Sequence, residues 1–361
     1  MALATDSILT LFKLYKRRDR PPDVRAVLNV RDAASGCPQV FSVHLNSSAV
    51  SKEKAQALGL QPISQWKAFG LLGFPGLLLI VNPFTSHAQR YWVCQALKNY
   101  PCKPNVCNVD AHEPERGDPW QDGLRTGKDD AHRPRSLLER LRWVTLGFHY
   151  NWDSKKYTAQ HWSPFPTDLG KLSSCLLRIC GFPMFLPEAA IINYYRLDST
   201  LGIHTDSSEL DLTQPLLSLS FGQSAIFLLG GTQRDDPAVP LWLHSGDVMV
   251  MFGDARQRFH AVPRIVAAAG GGLPSSLLDC DNCKTMDSCT FQHVATDTSG
   301  LSISAEEWDI CSRYLLKNRI NVTVRQVLGP GFSFPDEPIA TADSFCKNLG
   351  MDGSCHPDVM L

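Results

Sequence analysis

The sequence has no long apolar run. The longest candidate, residues 71–81, falls well short of the roughly 20 residues a helix needs to cross a bilayer, and it carries Gly73, Pro75 and Gly76. A helical membrane protein is therefore not expected. The chain also has almost no net charge, −1 at neutral pH, so it is not a polyelectrolyte that binds nucleic acid through its total charge. Basic residues are nonetheless dense in residues 13–25 and 133–142, and local patches of this kind can hold phosphates. A glycine-rich phosphate loop is missing. The segment Phe221-Gly222-Gln223-Ser224-Ala225 lacks the second glycine of a nucleophile elbow, which removes the serine-hydrolase reading. No signal-peptide pattern opens the sequence, and its twelve cysteines read as free thiols in a reducing compartment.

The composition, 43% hydrophobic and 20% charged, can bury a sizeable core. Residues 7–18 form an amphipathic basic pattern, read as an opening helix packed on the body; Asp6 and Asp19 count against an organellar address. Helical spacing recurs near residues 51–55 and 88–97. Residues 109–133 turn to Asp, Glu, Gly and Pro, as in a solvated loop or a lid, and residues 135–142 read as a short basic helix. Residues 143–150 are aromatic and β-prone, and residues 168–180 are helical. Short apolar runs follow at 190–197, 216–221, 225–229, 241–244, 248–252 and 321–327. Turn signals such as Gly230-Gly231 and Ser245-Gly246-Asp247 separate them, which predicts a sandwich or double-sheet barrel. Residues 263–306 read as a partly disordered insertion, ending in a helix near residues 306–318.

Three separated pieces carry chemistry. In His204-Thr205-Asp206, residues two apart on an extended chain point the same way, so His204 and Asp206 can grip one metal. With His260 they make two imidazoles and one carboxylate, the ligand set of a non-haem iron site with open positions. Near the end, Arg319, Asn321, Thr323 and Arg325 share one strand parity and Ile320, Val322 and Val324 the other. Arginines on the inner face of a barrel need anions, and a guanidinium fork suits a small dicarboxylate. Asn193 and Tyr195 share a face and can add hydrogen bonds to a carboxylate or keto oxygen.

The order Asn193-x-Tyr195, His204-x-Asp206, His260, Arg319-x-Asn321-x-x-x-Arg325 resembles the AlkB family of Fe(II)/2-oxoglutarate dioxygenases. The likeness covers about residues 135–265 and 315–328. It implies a mainly β protein with flanking helices (α+β). The core would be a double-stranded β-helix (jelly roll), with an N-terminal helical extension over 1–108, a lid loop and basic helix over 109–142, the oxygenase domain over 143–330 with its insertion at 264–306, and a tail over 331–361. It implies Fe(II) on His204, Asp206 and His260, and 2-oxoglutarate on Asn193, Tyr195, Arg319, Asn321 and Arg325. Dioxygen would be co-substrate and ascorbate the reductant. Trp143, Phe148 and Tyr150 match the family's base-recognition segment and Arg234 a substrate-contacting arginine; Trp120 is a candidate lid aromatic or a core residue. The implied substrate is a flipped or unpaired methylated base in tRNA or DNA: tRNA 1-methyladenine or 5-methylcytosine, or DNA N6-methyladenine. The enzyme would be a monomer off the membrane, in nucleus and mitochondrion, with cytoplasm as a further compartment. Where some members carry a second aspartate after His-x-Asp, this chain has Ser208, which leaves base preference open.

Cys280, Cys283, Cys289 and His293 have zinc-ligand chemistry, but only the first spacing suits a structural site, so free thiols are the competing reading. Two rival functions use the same frame. One is a protein (histone) hydroxylase or demethylase; the other is a non-catalytic module that has lost its iron.

Overall fold

The computed structural model describes residues 7–33, 37, 39–110, 112–125, 135–278 and 301–334. The strands are β1 (Val40–Ser42), β2 (Lys67–Leu71), β3 (Phe74–Val81), β4 (Val106–Cys107), β5 (Trp143–Gly147), β6 (Ala189–Arg196), β7 (Leu201–His204), β8 (Leu216–Gly222), β9 (Ser224–Leu229), β10 (Val239–Leu243), β11 (Val248–Met251), β12 (His260–Val266) and β13 (Asn318–Arg325). They form a nine-stranded sheet, β1-β2-β3-β11-β8-β13-β6-β5-β4, and a four-stranded sheet, β10-β9-β12-β7. All strand pairs are antiparallel. The two sheets face each other as a jelly roll with flanking helices, the expected fold.

Strand alternation assigns three apolar layers. Phe69, Leu79, Met249 and Leu216 of the large sheet meet Phe227, Leu229, Leu241 and Val262 of the small one between the sheets. Residues of the opposite parity, including Ile192, Leu217, Ile320, Val322 and Val324, face the helices. The helix Thr167–Ile179 fits that outer face because Leu169, Leu172, Leu176 and Ile179 recur at helical spacing and are buried. A capping box between Ser304 and Glu307 starts the helix Ala305–Leu315. The basic opening helix Ile8–Lys16 lays Ile8, Leu11 and Tyr15 against Ile226, Leu228 and Ala261 on the back of the small sheet. Each such buried side chain contributes roughly 1.5–3 kcal/mol.

Several boundaries differ from the sequence reading. Residues 1–108 are not merely a helical extension, because β1, β2 and β3 enlarge the main sheet and β3 pairs directly with β11. In β3, Leu77 to Ile80 are all buried, so the run shows no alternation. Gly76 sits inside that strand at φ +84°, where an added Cβ would lie 1.9 Å from the Phe252 carbonyl oxygen, so this glycine is a point of close backbone approach. The lid segment contains the helix Pro119–Arg125. The start of the supposed insertion belongs to β12, which ends at Val266, and the four-residue β7 carrying His204 was not foreseen. Cys280, Cys283, Cys289 and His293 lie outside the described residues.

Candidate metal centre and co-substrate pocket

The metal-ligand candidates meet because β7 and β12 pair with His204 opposite His260. Asp206 follows two residues beyond the end of β7. Its carboxylate lies 3.8 Å from His204 Nε2 and 3.7 Å from His260 Nε2, and one donor atom from each residue falls within 4.8 Å of the others. Backbone carbonyls fix the rings. His204 Nδ1 is 2.9 Å from the Gly202 oxygen and His260 Nδ1 is 3.1 Å from the Arg258 oxygen. A carbonyl can only accept, so each Nδ1 carries the proton and each Nε2 presents a lone pair to the common point. Burial pushes His260 down to about 4, with the neighbouring His204 acting in the same direction, so its imidazole is neutral at pH 7. Burial alone would raise Asp206, but Arg325 and then the two histidines outweigh it and hold the carboxyl well below the usual range. The set is therefore two imidazole Nε2 atoms and one carboxylate converging on one point, the donor chemistry of a facial Fe(II) site.

The cavity beside this cluster is lined by Asn193, Tyr195, Arg319, Asn321, Thr323 and Arg325, among others. The two arginines differ in kind. Arg325 donates through Nη2 to Asp206 Oδ1 at 3.2 Å and through Nε to Glu209 Oε1 at 2.8 Å, so the anions it needed are supplied by the protein. Expected to hold 2-oxoglutarate, Arg325 lines the cavity and also braces a metal-ligand carboxylate. Arg319 is 1% exposed and gives Nη2 to Ser220 Oγ at 2.9 Å, while its Nε and Nη1 have no partner. A buried guanidinium with two idle donors is matched to an incoming carboxylate. Burial pulls Arg319 down to about 10, which still leaves it cationic at pH 7. Asn321 donates to Ser218 Oγ and the Leu219 oxygen and accepts from Thr323 Oγ1, so it holds this wall in shape.

The substrate-side residues divide. Trp143 pairs across the sheet with Asn193, and its ring lies 5.1 Å from Trp152. Trp152 is 4.9 Å from Tyr150, which is 5.3 Å from the buried Tyr157. Ser208 Oγ donates to the Tyr150 hydroxyl at 3.4 Å, which links this aromatic cluster to the metal-bearing segment. Phe148 packs edge-on against Phe334. Arg234 lies over Phe259, next to His260 in sequence, and does not line the cavity. Trp120 is 3% exposed and sits in the helix-side core, so the lid role is corrected: it is a packing residue.

A profile of the 2OG-Fe(II) oxygenase superfamily matches residues 76–325, which is more than half of the chain. The chain belongs to the AlkB branch of that superfamily. Its mouse relative, nucleic acid dioxygenase ALKBH1, is 47% identical over 97% of this chain and 90% of its own length. The human protein of the same name is 47% identical over 98% and 91%. The Arabidopsis thaliana DNA N(6)-methyladenine demethylase ALKBH1A is 31% identical over 88% and 90%. This AlkB-type oxygenase therefore uses Fe(II), 2-oxoglutarate and dioxygen, and the ligand triad and the idle Arg319 donors fit the first two.

Four features escaped sequence reasoning. Arg256, 2% exposed, donates to Glu209 Oε2 at 2.6 Å and to the Asp206 main-chain oxygen. Glu209 thus joins Arg256 and Arg325 behind the metal-binding carboxylate. Ser220 and Trp152 also went unnoticed. The only cue to Arg256 was a charge in the short loop before His260. Glu209→Gln should destabilise the fold by about 3–5 kcal/mol, because two buried cations lose a carboxylate. It should also weaken metal binding about 10–100-fold, read by Co(II) absorption. Unchanged melting and unchanged Co(II) affinity would remove this network from the site.

Proposed function

We propose that the protein oxidises methyl groups on bases of nucleic acid, demethylating or hydroxylating tRNA 1-methyladenine or 5-methylcytosine, or DNA N6-methyladenine. The observation that carries the reading is the aromatic cluster Trp143, Tyr150, Trp152 and Tyr157 beside the His204, Asp206 and His260 centre. The names of the mammalian and plant relatives support it, and a fission-yeast tRNA demethylase is 46% identical over 37% of this chain.

His204, Asp206 and His260 hold Fe(II), and Arg319 takes the distal carboxylate of 2-oxoglutarate with Asn193 and Tyr195 beside it. Iron held by His204, Asp206 and His260 would supply dioxygen activation, coupling the conversion of 2-oxoglutarate to succinate and carbon dioxide with insertion of one oxygen atom into a C–H bond of the substrate methyl. Arg325 and Arg256 keep Asp206 ionised and aimed. A base drawn out of its stack lies against the aromatic faces, which hold its methyl toward the metal and exclude water. A hydroxymethyl on nitrogen then collapses to the free base nitrogen and formaldehyde; one on carbon persists. Ser208, through Tyr150, is the residue of the metal segment that shapes this cage. The enzyme works as a monomer in nucleus and mitochondrion, which fractionation of tagged protein would check.

Purified protein with Fe(II), ascorbate and 2-oxoglutarate should release succinate on methylated tRNA or DNA, with mass spectrometry identifying the mark lost. Trp152→Ala should raise the KM for a methylated oligonucleotide about tenfold, given roughly 1–3 kcal/mol per stacked base, and leave uncoupled 2-oxoglutarate turnover intact. Turnover on peptides that is indifferent to Trp152, with none on nucleic acid, would instead support the protein hydroxylase.

A further inference from the structure

A second cavity lies apart from the catalytic one. It measures about 370 Å³ and is lined by Arg135, Glu139, Arg196, Leu197, Asp198, Lys317 and Asn318. That volume lies in the ligand-pocket range of roughly 300–1,000 Å³. It sits where β6 and β13 end side by side, at the pair Arg196 and Asn318. Arg196 lies three residues beyond Asn193, the cross-strand partner of Trp143, about 10 Å along the strand, and by strand alternation its side chain leaves on the opposite, helix-side face.

Both acids on the wall are already engaged. Glu139 closes the capping box of the helix Leu137–Arg140, bonding the Ser136 amide at 2.8 Å and hydroxyl at 3.1 Å. Asp198 Oδ1 accepts from Arg196 Nε at 3.0 Å. The cations are less satisfied. Nη1 of Arg196 has no hydrogen-bond partner, and among the described residues neither Arg135 nor Lys317 has an ion-pair partner.

We propose that this basin is a phosphate subsite that grips the backbone of the nucleic acid whose base enters the aromatic cluster. The proposal rests on the function proposed above. A guanidinium fork with an idle donor and two unpaired cations beside a concavity is the chemistry that recognises a phosphate's oxygens. The basin lies round the ends of β6 and β13 from the catalytic face, so it would hold a phosphate further along the strand than those flanking the base. Such contacts position the strand without reading its sequence.

The test compares the full chain with the double variant Arg135→Glu/Lys317→Glu and with the milder Lys317→Gln. Anisotropy of a labelled single-stranded oligonucleotide is followed across a salt series, and uncoupled 2-oxoglutarate turnover and melting serve as controls. Loss of one or two phosphate contacts should lower affinity about tenfold or more and flatten the log–log salt slope by about 0.7 per contact. Lys317→Gln should lie between the parent and the double variant, and the controls should be unchanged. Affinity and slope equal to the parent's would overturn the basin assignment and leave the base-oxidation reading standing. An unmodified protein that binds no oligonucleotide at any salt would overturn both. A basin that serves free phosphate would show inorganic phosphate raising the melting temperature of the parent but not of the double variant, with oligonucleotide affinity unaffected; that result also refutes the proposal.

Discussion

Asp206→Ala should yield a folded protein that neither binds Fe(II) tightly nor turns over 2-oxoglutarate. The carboxylate is the only anionic donor among the three residues whose ligand atoms converge, and without it only two imidazole nitrogens face the metal. Folding should survive because the surrounding charges have a second anchor. Arg325 and Arg256 both remain bonded to Glu209, and the bond from Arg256 to residue 206 uses the main-chain oxygen. Metal affinity should fall by more than the 10–100-fold typical of losing an outer partner, because a direct ligand is gone. Co(II) titration and succinate release are the readouts. Asp206→Asn keeps the shape but removes the charge, so it should also lose turnover while melting close to the parent. Turnover within a few-fold of the parent in either variant would show that the metal sits elsewhere.

The metal and co-substrate residues were legible because each signal was local and periodic. His204 and Asp206 two apart, and Arg319, Asn321, Thr323 and Arg325 on one parity, are patterns that survive without knowledge of the fold. β13 does place these four on the cavity side and Ile320, Val322 and Val324 on the helix side. What stayed hidden depended on contacts between distant segments. Glu209 is an ordinary exposed-type residue until Arg256, 47 positions later, folds over it. Ser220 acquires meaning only from its register opposite Asn321, which brings its hydroxyl to Arg319. Trp120 shows the converse. Its polar surroundings suggested a lid, yet the helix Pro119–Arg125 turns the ring into the core. The N-terminal strands failed as a pattern because β3 is covered on both sides, by Phe69 and Met249 neighbours on one and by helices on the other, so periodicity vanished.

Arg319→Met should separate co-substrate binding from stability more sharply than any other substitution. In the ligand-free protein this guanidinium is buried with one bond to Ser220 and two idle donors, and no carboxylate of the described residues forms an ion pair with it. Burying a cation without an anion is costly, so an apolar side chain of similar length should leave the ligand-free fold as stable or raise its stability by about 1–4 kcal/mol. Binding should change in the opposite sense. A 2-oxoglutarate carboxylate entering the same wall would meet no cation, a loss of roughly 3–5 kcal/mol, which corresponds to a KM raised by about two to three and a half powers of ten. The contrast appears in melting: 2-oxoglutarate at 100 times its dissociation constant should stabilise the parent by about 2.7 kcal/mol and leave the variant unmoved. Arg319→Lys keeps the charge but not the planar fork, and should fall between the two in KM. Fe(II) or Co(II) affinity should hold in both variants, because His204, Asp206 and His260 are untouched. If Arg319→Met kept the parent's KM, the carboxylate would have to bind elsewhere, and a buried, unpaired Arg319 would have no physical explanation.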